Sequence, residues 1–569
     1  MKRILRAVLL VSLAISGGAF AQPITNDCAD PYWVHSLRCA ALHPVEPQPV
    51  PAPPASPAQV KEYTRVNLDS DWEVRCLDGT RPILYVDPAV GGPSNRWLFS
   101  MSGGGSCWAR DSDPVDGVYD DAQGCVDDYL GGEESEMGTA SEPAMRNLAD
   151  QPGLSQGILR TATSENPVFA GYNRVRVKKC SYDRYNGRAA HPSVTGEISG
   201  PETISFDLYS QGRSILELAL DELRGNDLSG IGLSYPTWIV AGNAVVATTE
   251  SLPPLESAEQ IVFIGHSGAG HGLYHSIDGL ADYLRAWPAF AGDVRVVIDS
   301  NFVPGPENEK RFESPSLDLY DHFWSGTTAA LGSYDAETFL TDSAYVEQYD
   351  SYLAAPTDSL ATILDASCVS VHAGTGDEWS CRDRLHVLAN HLATPAFVRE
   401  DFSDPNSEHT ANGFGHLALW GPIGAYAHCA VLGLTTCPPL IEVGDGSPYE
   451  GRLYAQAGAL LSGFQLRSEL ARGDDPSGPV PSLFLWMPDC GSHASAYSDQ
   501  QFSSVALSNG VSSVTMRDWL GTFVSVPATG ITAARIAGFG GDVALCDGDL
   551  PFRDSFESAD SSAWSSATP

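Results

Sequence analysis

The stretch Ile261-Val-Phe-Ile-Gly-His-Ser-Gly-Ala-Gly-His-Gly-Leu-Tyr-His275 constrains the fold more than any other part of the chain. Four consecutive apolar residues, Ile261 to Ile264, read as a buried strand. Gly265 to Gly270 then turns sharply into a helical pattern, the beginning of a strand–helix unit. A serine at such a turn is held in a strained conformation with its hydroxyl exposed. Small neighbours let the helix pass close to the strand, which is the mechanics of a nucleophile elbow. The usual spacing is G-x-S-x-G; here the last position is Ala269, followed by Gly270. A glycine-rich turn carrying an ordinary serine would have the same letters. The surrounding chain has to separate the two readings.

Further apolar runs read as strands. They are Trp97 to Met101, Val294 to Ile298, Pro395 to Arg399 and Leu483 to Met487. Arg174 to Lys178 alternates valine with basic residues, the pattern of a half-exposed strand. Ile215 to Leu223 reads as a helix with a broad apolar face. Strands separated by helices predict an α/β chain with a mostly parallel sheet flanked by helices. Ligand sites in such sheets lie at the carboxyl ends of the strands.

The ends of the chain read differently. Residues 1–21 have the make-up of a bacterial-type export signal. Lys2, Arg3 and Arg6 precede an apolar core from Ala7 to Ile15, too short to span a bilayer. Ala19-Phe-Ala21 is a small-x-small cleavage site. Residues 22–60 form a proline-rich linker, in which Pro44 to Pro57 is an extended spacer. Residues 61–548 are the expected catalytic domain, its folded body starting near Tyr63, and 549–569 form a C-terminal tail. The expected location is therefore secreted or periplasmic, with no transmembrane segment.

Net charge is −38, and removal of the basic signal residues makes the remainder more acidic still. Such a chain repels nucleic acid and anionic membrane surfaces. Twelve cysteines in an exported chain point to disulfides. With no CxxC pair and no regular Cys/His ladder, the sequence gives no indication of structural zinc, and no metal or cofactor is expected. The run Asp111 to Glu136 is acidic but lacks the EF-hand ligand spacing, and reads as a solvated loop.

The strand Trp97–Met101 ends in Ser102-Gly-Gly-Gly-Ser-Cys-Trp108. Three glycines after a strand either simply turn the chain or aim backbone N–H groups at a reaction centre. Glycine suits the second role because a side chain would block the approach of an acyl group. Ser267 follows one strand, Asp404 another and His493 a third. The chain order Ser, Asp, His is that of the α/β-hydrolase fold.

At these positions the chain resembles the pectin acetylesterase/Notum family of secreted serine carboxylesterases. Gly103-Gly-Gly-Ser-Cys107 resembles the family's Gly-Gly-Trp-Cys loop. Asn166-Pro-Val-Phe169, with Asn173, Val175 and Cys180-Ser-x-Asp183, is similar to its N-P-x-F…N-x-V…Y-C segment. Gly265 to Gly270 stands where the family has G-x-S-A-G-G, and Asp299-Ser-Asn-Phe302 resembles its D-S-G-F turn. Pro395, Phe397 and Asp404 match the spacing to its catalytic aspartate, and Cys490-Gly-Ser-His493 its cysteine–histidine segment. Two departures touch the acyl pocket. The loop tryptophan is replaced around Gly105, with Trp108 lying beyond Cys107, and the elbow reads S-G-A-G.

The resemblance implies an α/β-hydrolase-like fold with long disulfide-bearing loops, an acyl-ester substrate on a carbohydrate or related alcohol, and no cofactor. Ser267 would be the nucleophile, His493 the general base and acid, and Asp404 the residue that orients the imidazole. Backbone amides of Gly104, Gly105 and Gly268 would form the oxyanion hole. Asp401 competes with Asp404; His266, His409 and His416 compete with His493. A lipase, polyester depolymerase or peptidase on the same scaffold, and a catalytically inactive binding protein, are the rival functions. Family similarity favours the pairs Cys107–Cys125 and Cys368–Cys381. Cys429–Cys437 is favoured because the two are close in sequence. The tail from Asp554 to Trp564 resembles a short segment on secreted bacterial proteins, either a sorting tag or a plain terminus.

Overall fold

The computed structural model describes residues 63–68, 74–104, 137–139, 145–146, 156–199, 202–225, 234–241, 244–300, 363–375, 381, 384–400, 483–488, 495–508, 513–526 and 534–537. The signal-like segment, the proline-rich linker, the acidic run and the C-terminal tail lie outside these residues.

Sixteen strands are described, in chain order β1 (Tyr63–Asn67), β2 (Ile83–Asp87), β3 (Arg96–Met101), β4 (Met145–Arg146), β5 (Asn173–Val177), β6 (Ala189–Ser199), β7 (Glu202–Ser210), β8 (Ser234–Ala241), β9 (Ala244–Ser251), β10 (Gln260–His266), β11 (Asp293–Asp299), β12 (Ala396–Arg399), β13 (Leu483–Met487), β14 (Ala506–Ser508), β15 (Ser513–Thr515) and β16 (Ala534–Ala537). Ten of them form one sheet in the order β16-β13-β12-β11-β10-β3-β5-β2-β1-β4. Every pairing from β16 across to β5 is parallel. β2 is antiparallel to β5, and β1 is antiparallel to β2. Pairs β6–β7, β8–β9 and β14–β15 are separate antiparallel hairpins.

The central strands are apolar at successive positions because both faces of the sheet are covered. Ile261 and Phe263 of β10 join Trp97 and Phe99 of β3 and Val296 and Ile298 of β11 in one core. Helices α1 (Gly212–Arg224) and α2 (Gly268–Arg285) close that face through Ile215, Leu216, Leu273 and Ile277. Val262, Ile264, Leu98 and Val297 point the other way, against Leu520 and Phe523 of the helix Met516–Ser525. This is an α/β-hydrolase-like fold: a mostly parallel sheet between helical layers.

The expected strands at 97–101, 261–264, 294–298, 395–399 and 483–487 match β3, β10, β11, β12 and β13 within a residue or two, and the helix at 215–223 lies within α1. The expected half-exposed alternation holds at Arg176 and Lys178, which are partly exposed, and fails at Arg174. β5 pairs on both sides, with β2 and β3, and Val175 and Val177 are fully buried. Arg174 is buried because Asp87, directly opposite on β2, forms an ion pair with it. Arg176 donates to Ser102 Oγ at 2.6 Å. A cross-strand carboxylate thus replaces solvent at Arg174, while Arg176 and Lys178 keep part of theirs.

Two disulfides are present among the described residues. Cys368–Cys381 is the expected pair. Cys76–Cys180, which ties the β1–β2 connection to the end of β5, was not anticipated. Cys107, Cys125, Cys429 and Cys437 lie outside the described residues. Among the described residues no helix is long and apolar enough to cross a membrane.

Candidate active site

The parallel register sets His266 of β10 beside Asp299 of β11, and Asp299 beside Arg399 of β12. Gly265 is level with Met101 of β3. The residues following these strands, Ser102–Gly104, Ser267, Ser300 and Glu400, therefore share one carboxyl edge of the sheet. That edge is where open α/β sheets bind ligands.

Ser267 occupies the single-residue corner between β10 and α2, with φ 52° and ψ −127°. Such a backbone is strained for a residue with a Cβ, at a cost of about 1–3 kcal/mol, and persists only when its surroundings fix it. Those surroundings are visible. Ser267 N–H donates to the Asp299 carbonyl at 3.1 Å, and its own carbonyl accepts from His271 N–H at 3.0 Å. The Ser267 side chain makes no capping hydrogen bond to α2.

The glycine loop lies directly against this corner. A Cβ on Gly103 would fall 2.5 Å from Ser267 Cβ and 2.8 Å from the His266 carbonyl oxygen, so the close approach excludes any side chain there. A Cβ on Gly268 would fall 2.4 Å from the Gly104 carbonyl oxygen. Gly104 itself has φ 127°, which glycine adopts freely. The loop is held by His266, whose Nε2 accepts the Gly103 N–H at 3.0 Å. This contact commits that amide to the imidazole.

His266, one of the histidines competing for the role of base, thus has its Nε2 turned to the loop backbone. On its other side it meets the Tyr497 ring edge-on, with 4.6 Å between centroids. Tyr497 Oη lies 3.0 Å from Ser100 Oγ on β3. Next to Tyr497, Ala496 N–H donates to Asp299 Oδ2 at 2.7 Å. Asp299 is fully buried and faces the equally buried Arg399 across 3.6 Å. Arg399 Nη1 also donates to Ser300 Oγ at 2.5 Å. The carboxylate of Asp299 therefore joins the ends of β11 and β12 to the segment after β13.

A second polar group lies at the first turn of α2. His271 is buried, and both Arg184 and Arg384 reach its Nδ1, the latter at 2.6 Å. A guanidinium can only donate, so this nitrogen accepts and the imidazole is neutral. Burial holds the His271 pKa well below the ordinary histidine value, and the positive charges of Arg384 and Arg184 and then His275 add to the effect. Arg184 belongs to a turn with φ 49° at Tyr182, 59° at Arg184 and 60° at Tyr185. Asp183 fixes that turn by accepting from the backbone of Tyr185, Gly187 and Gly212 at 2.7–3.1 Å. Burial nonetheless raises the Asp183 pKa above its usual range.

Of the sequence-derived site residues, Ser267, Gly104 and Gly268 are brought together. Gly105, Asp404 and His493 lie outside the described residues, as do Asp401, His409 and His416. In sequence Asp404 follows β12 by five residues, and His493 follows β13 and stands two residues before the docked segment Ser495–Tyr497. The sequence does not mark His266, Tyr497, Asp299 and Arg184 as supports. Asp299-Ser300 stood out only as a motif, and no local signal marks the other three.

The fold is α/β-hydrolase-like, with a serine at the strand-to-helix corner of its sheet. The chain's similarity is to the pectin acetylesterase/Notum family. A pectinacetylesterase family model matches residues 55–230. Human palmitoleoyl-protein carboxylesterase NOTUM is 27% identical over 249 residues, covering 44% of this chain and 38% of the human protein. Pectin acetylesterase 5 of Arabidopsis thaliana is 24% identical over 190 residues, covering 33% of this chain and 37% of the plant protein. The matched part thus spans well under half the length of either relative. The structure of the Wnt deacylase Notum from Drosophila superposes with a TM-score of 0.47 at 16% identity, covering 83% of this chain and 98% of that one.

Proposed function

We propose that the chain is an exported serine carboxylic-ester hydrolase that removes an acetyl or other short acyl group from a carbohydrate or related ester. The observation that carries this reading is the strained corner at Ser267 with the Gly103–Gly104 backbone pressed against it. A serine held at φ 52° against bare glycine backbone has the geometry of an acyl-transfer nucleophile beside an oxyanion hole. The names of the relatives, carboxylesterase and pectin acetylesterase, agree with it.

In this mechanism Ser267 Oγ attacks the ester carbonyl while His493 takes its proton and returns it to the leaving alcohol. Asp404, rather than Asp401, orients the imidazole. Amides of Gly104, Gly105 and Gly268 hold the developing oxyanion, each such donor being worth about 2.7–4 kcal/mol. Commitment of the Gly103 amide to His266 is consistent with the choice of Gly104 and Gly105. Water then releases the acyl group by the same steps in reverse.

Support for His493 comes from chain connectivity. It stands four residues before Tyr497, which touches the residue next to Ser267, and that length of chain reaches about 14 Å at most. Residues 61–548 would form the catalytic unit, exported by the signal at 1–21 and tethered by the linker 22–60.

The test is hydrolysis by the purified processed chain of a p-nitrophenyl ester series, followed by acetylated xylan and pectin. Rates falling steeply from acetyl to long acyl chains, with acetate released from a polysaccharide, support the proposal. A preference for long chains or polymeric esters would select a lipase or polyester-type hydrolase instead. No turnover of any ester or peptide would select a binding protein.

A further inference from the structure

A cluster of three imidazoles lies in a part of the fold that the proposed reaction does not use. Helix α3 (Ala366–His372) and helix α4 (Arg384–Asn390) are joined through the Cys368–Cys381 disulfide. His372 ends α3, His386 sits on α4, and His391 lies just beyond α4. Their ring nitrogens converge: His372 Nε2 is 2.9 Å from His386 Nε2, and His391 Nε2 is 3.2 Å from the same atom. The ring centroids are 4.8–5.8 Å apart. Cys368 Sγ also lies within 4.8 Å of these nitrogens, but it is committed to the disulfide and is not a ligand.

The spacing of the nitrogens is informative. A ring nitrogen carries either one N–H or one lone pair in the plane of the ring. His386 Nε2 is approached by both of the other ring nitrogens and stands at the centre of the cluster. Asn390 Nδ2 lies 3.3 Å from His386 Nδ1; turning that amide so that its oxygen accepts the Nδ1–H leaves a lone pair on His386 Nε2, and a single cation can then take one lone pair from each ring. Two imidazoles bound tetrahedrally at about 2.0–2.1 Å place their nitrogens roughly 3.3 Å apart, close to the separations seen.

Outer contacts set one ring in the ligating tautomer. His391 Nδ1 lies 3.0 Å from Ser367 Oγ, whose hydrogen is directed to Asp365 Oδ1 at 2.7 Å. The serine oxygen must therefore accept the Nδ1–H, which leaves the Nε2 lone pair facing the cluster. Such a carboxylate-backed support is what metal-bound histidines use. Asp365 is itself buried and fixed as the N-cap of α3, accepting from Cys368 N–H at 2.9 Å.

We propose that His372, His386 and His391 bind a zinc ion that, with the adjacent disulfide, clamps α3 to α4. An all-imidazole set suits zinc and its borderline neighbours and disfavours calcium and magnesium, which take oxygen ligands. The three rings are half-buried, so solvent supplies a fourth ligand. The role is structural: α4 also carries Arg384, which reaches His271 at the first turn of α2. No sequence spacing announced this set. The helices bring it together.

The test uses the full processed chain, stripped with a chelator and titrated with Zn²⁺ against a chromophoric competitor, with Ca²⁺ and Mg²⁺ in parallel. One equivalent of Zn²⁺ should bind, Ca²⁺ and Mg²⁺ should not displace it, and the unfolding midpoint should rise on loading. His386→Gln and the double variant H372Q/H391Q should each weaken zinc by at least about 100-fold, since loss of an outer partner alone costs about 10–100-fold. X-ray absorption on the zinc-loaded wild type gives an independent reading that does not depend on variants folding, and should show a first shell containing three imidazoles. Absence of saturable zinc binding, binding unchanged by these substitutions, or a first shell of oxygen ligands only would each overturn the proposal.

Discussion

The imidazole of His266 sits between the Gly103 amide, which it accepts at 3.0 Å, and the ring of Tyr497, 4.6 Å away centre to centre. One side chain thus joins the glycine loop after β3, the serine corner after β10 and the segment after β13. His266→Ala removes the hydrogen bond and the ring contact without touching the reacting atoms. We expect kcat to fall about 10–100-fold with KM little changed, as for a misplacement of the oxyanion loop by about 1 Å. Steady-state kinetics on a p-nitrophenyl ester checks this. A change in KM alone would mean that His266 contacts substrate instead.

Gly103 has no room for a side chain. The Cβ of Gly103→Ala would fall within 3 Å of Ser267 Cβ, the His266 carbonyl oxygen and His266 Cδ2. Either the loop or the serine corner must move. Overpacking of this kind costs about 1–3 kcal/mol. The variant should unfold at lower denaturant concentration and lose most ester hydrolysis. Retention of both would show that the loop is not seated on the corner.

Asp299 and Arg399 are both fully buried, and Asp299 also accepts the Ala496 amide. Asp299→Ala leaves a buried guanidinium without its carboxylate, a change that costs about 3–5 kcal/mol. Equilibrium unfolding should show that loss. Asp299→Asn, which can still accept from Ala496 N–H, should lose less. Equal stability of the alanine variant and the wild type would contradict the assigned role.

The centre of the sheet was legible in the sequence because burial on both faces leaves an uninterrupted apolar run, as in Ile261–Ile264 and Val294–Ile298. The serine corner was legible because a helix crossing a strand so closely admits few residues. In β5 only Arg174 departs from the half-exposed alternation, because it is paired to Asp87, far away in sequence and adjacent only after β2 and β5 align. The hairpins β6–β7 and β8–β9 were missed. Polar residues break the apolar pattern of β6 and β7, and β6 and β8 each contain a proline, although the two-residue links Gly200-Pro201 and Gly242-Asn243 are turn signals. The supports of the corner were invisible for the reason that hid Asp87: His266, Tyr497 and Asp299 act through contacts between distant segments.

Stability should fall in mild acid because of His271. Its folded-state pKa is held well below the ordinary value by burial and by Arg384, Arg184 and His275. As pH drops below about 6.5 the unfolded chain binds a proton that the folded chain refuses, so stability decreases by up to about 1.4 kcal/mol per pH unit. The loss ends once pH passes below the folded-state pKa. His271→Gln should flatten this slope between about pH 6.5 and 5. Thermal midpoints of both proteins across that window give the comparison, and parallel curves would show that His271 titrates normally.

In the proposed reaction Ser267 is the nucleophile and His493 its base. The most direct measurement is the rate and position of fluorophosphonate modification, read by peptide mass spectrometry in the wild type, Ser267→Ala and His493→Ala. One adduct is expected, on Ser267. It should be absent in Ser267→Ala and form at least about 10³-fold more slowly in His493→Ala. An adduct on another residue, or a His493→Ala protein that reacts at the wild-type rate, would contradict these roles.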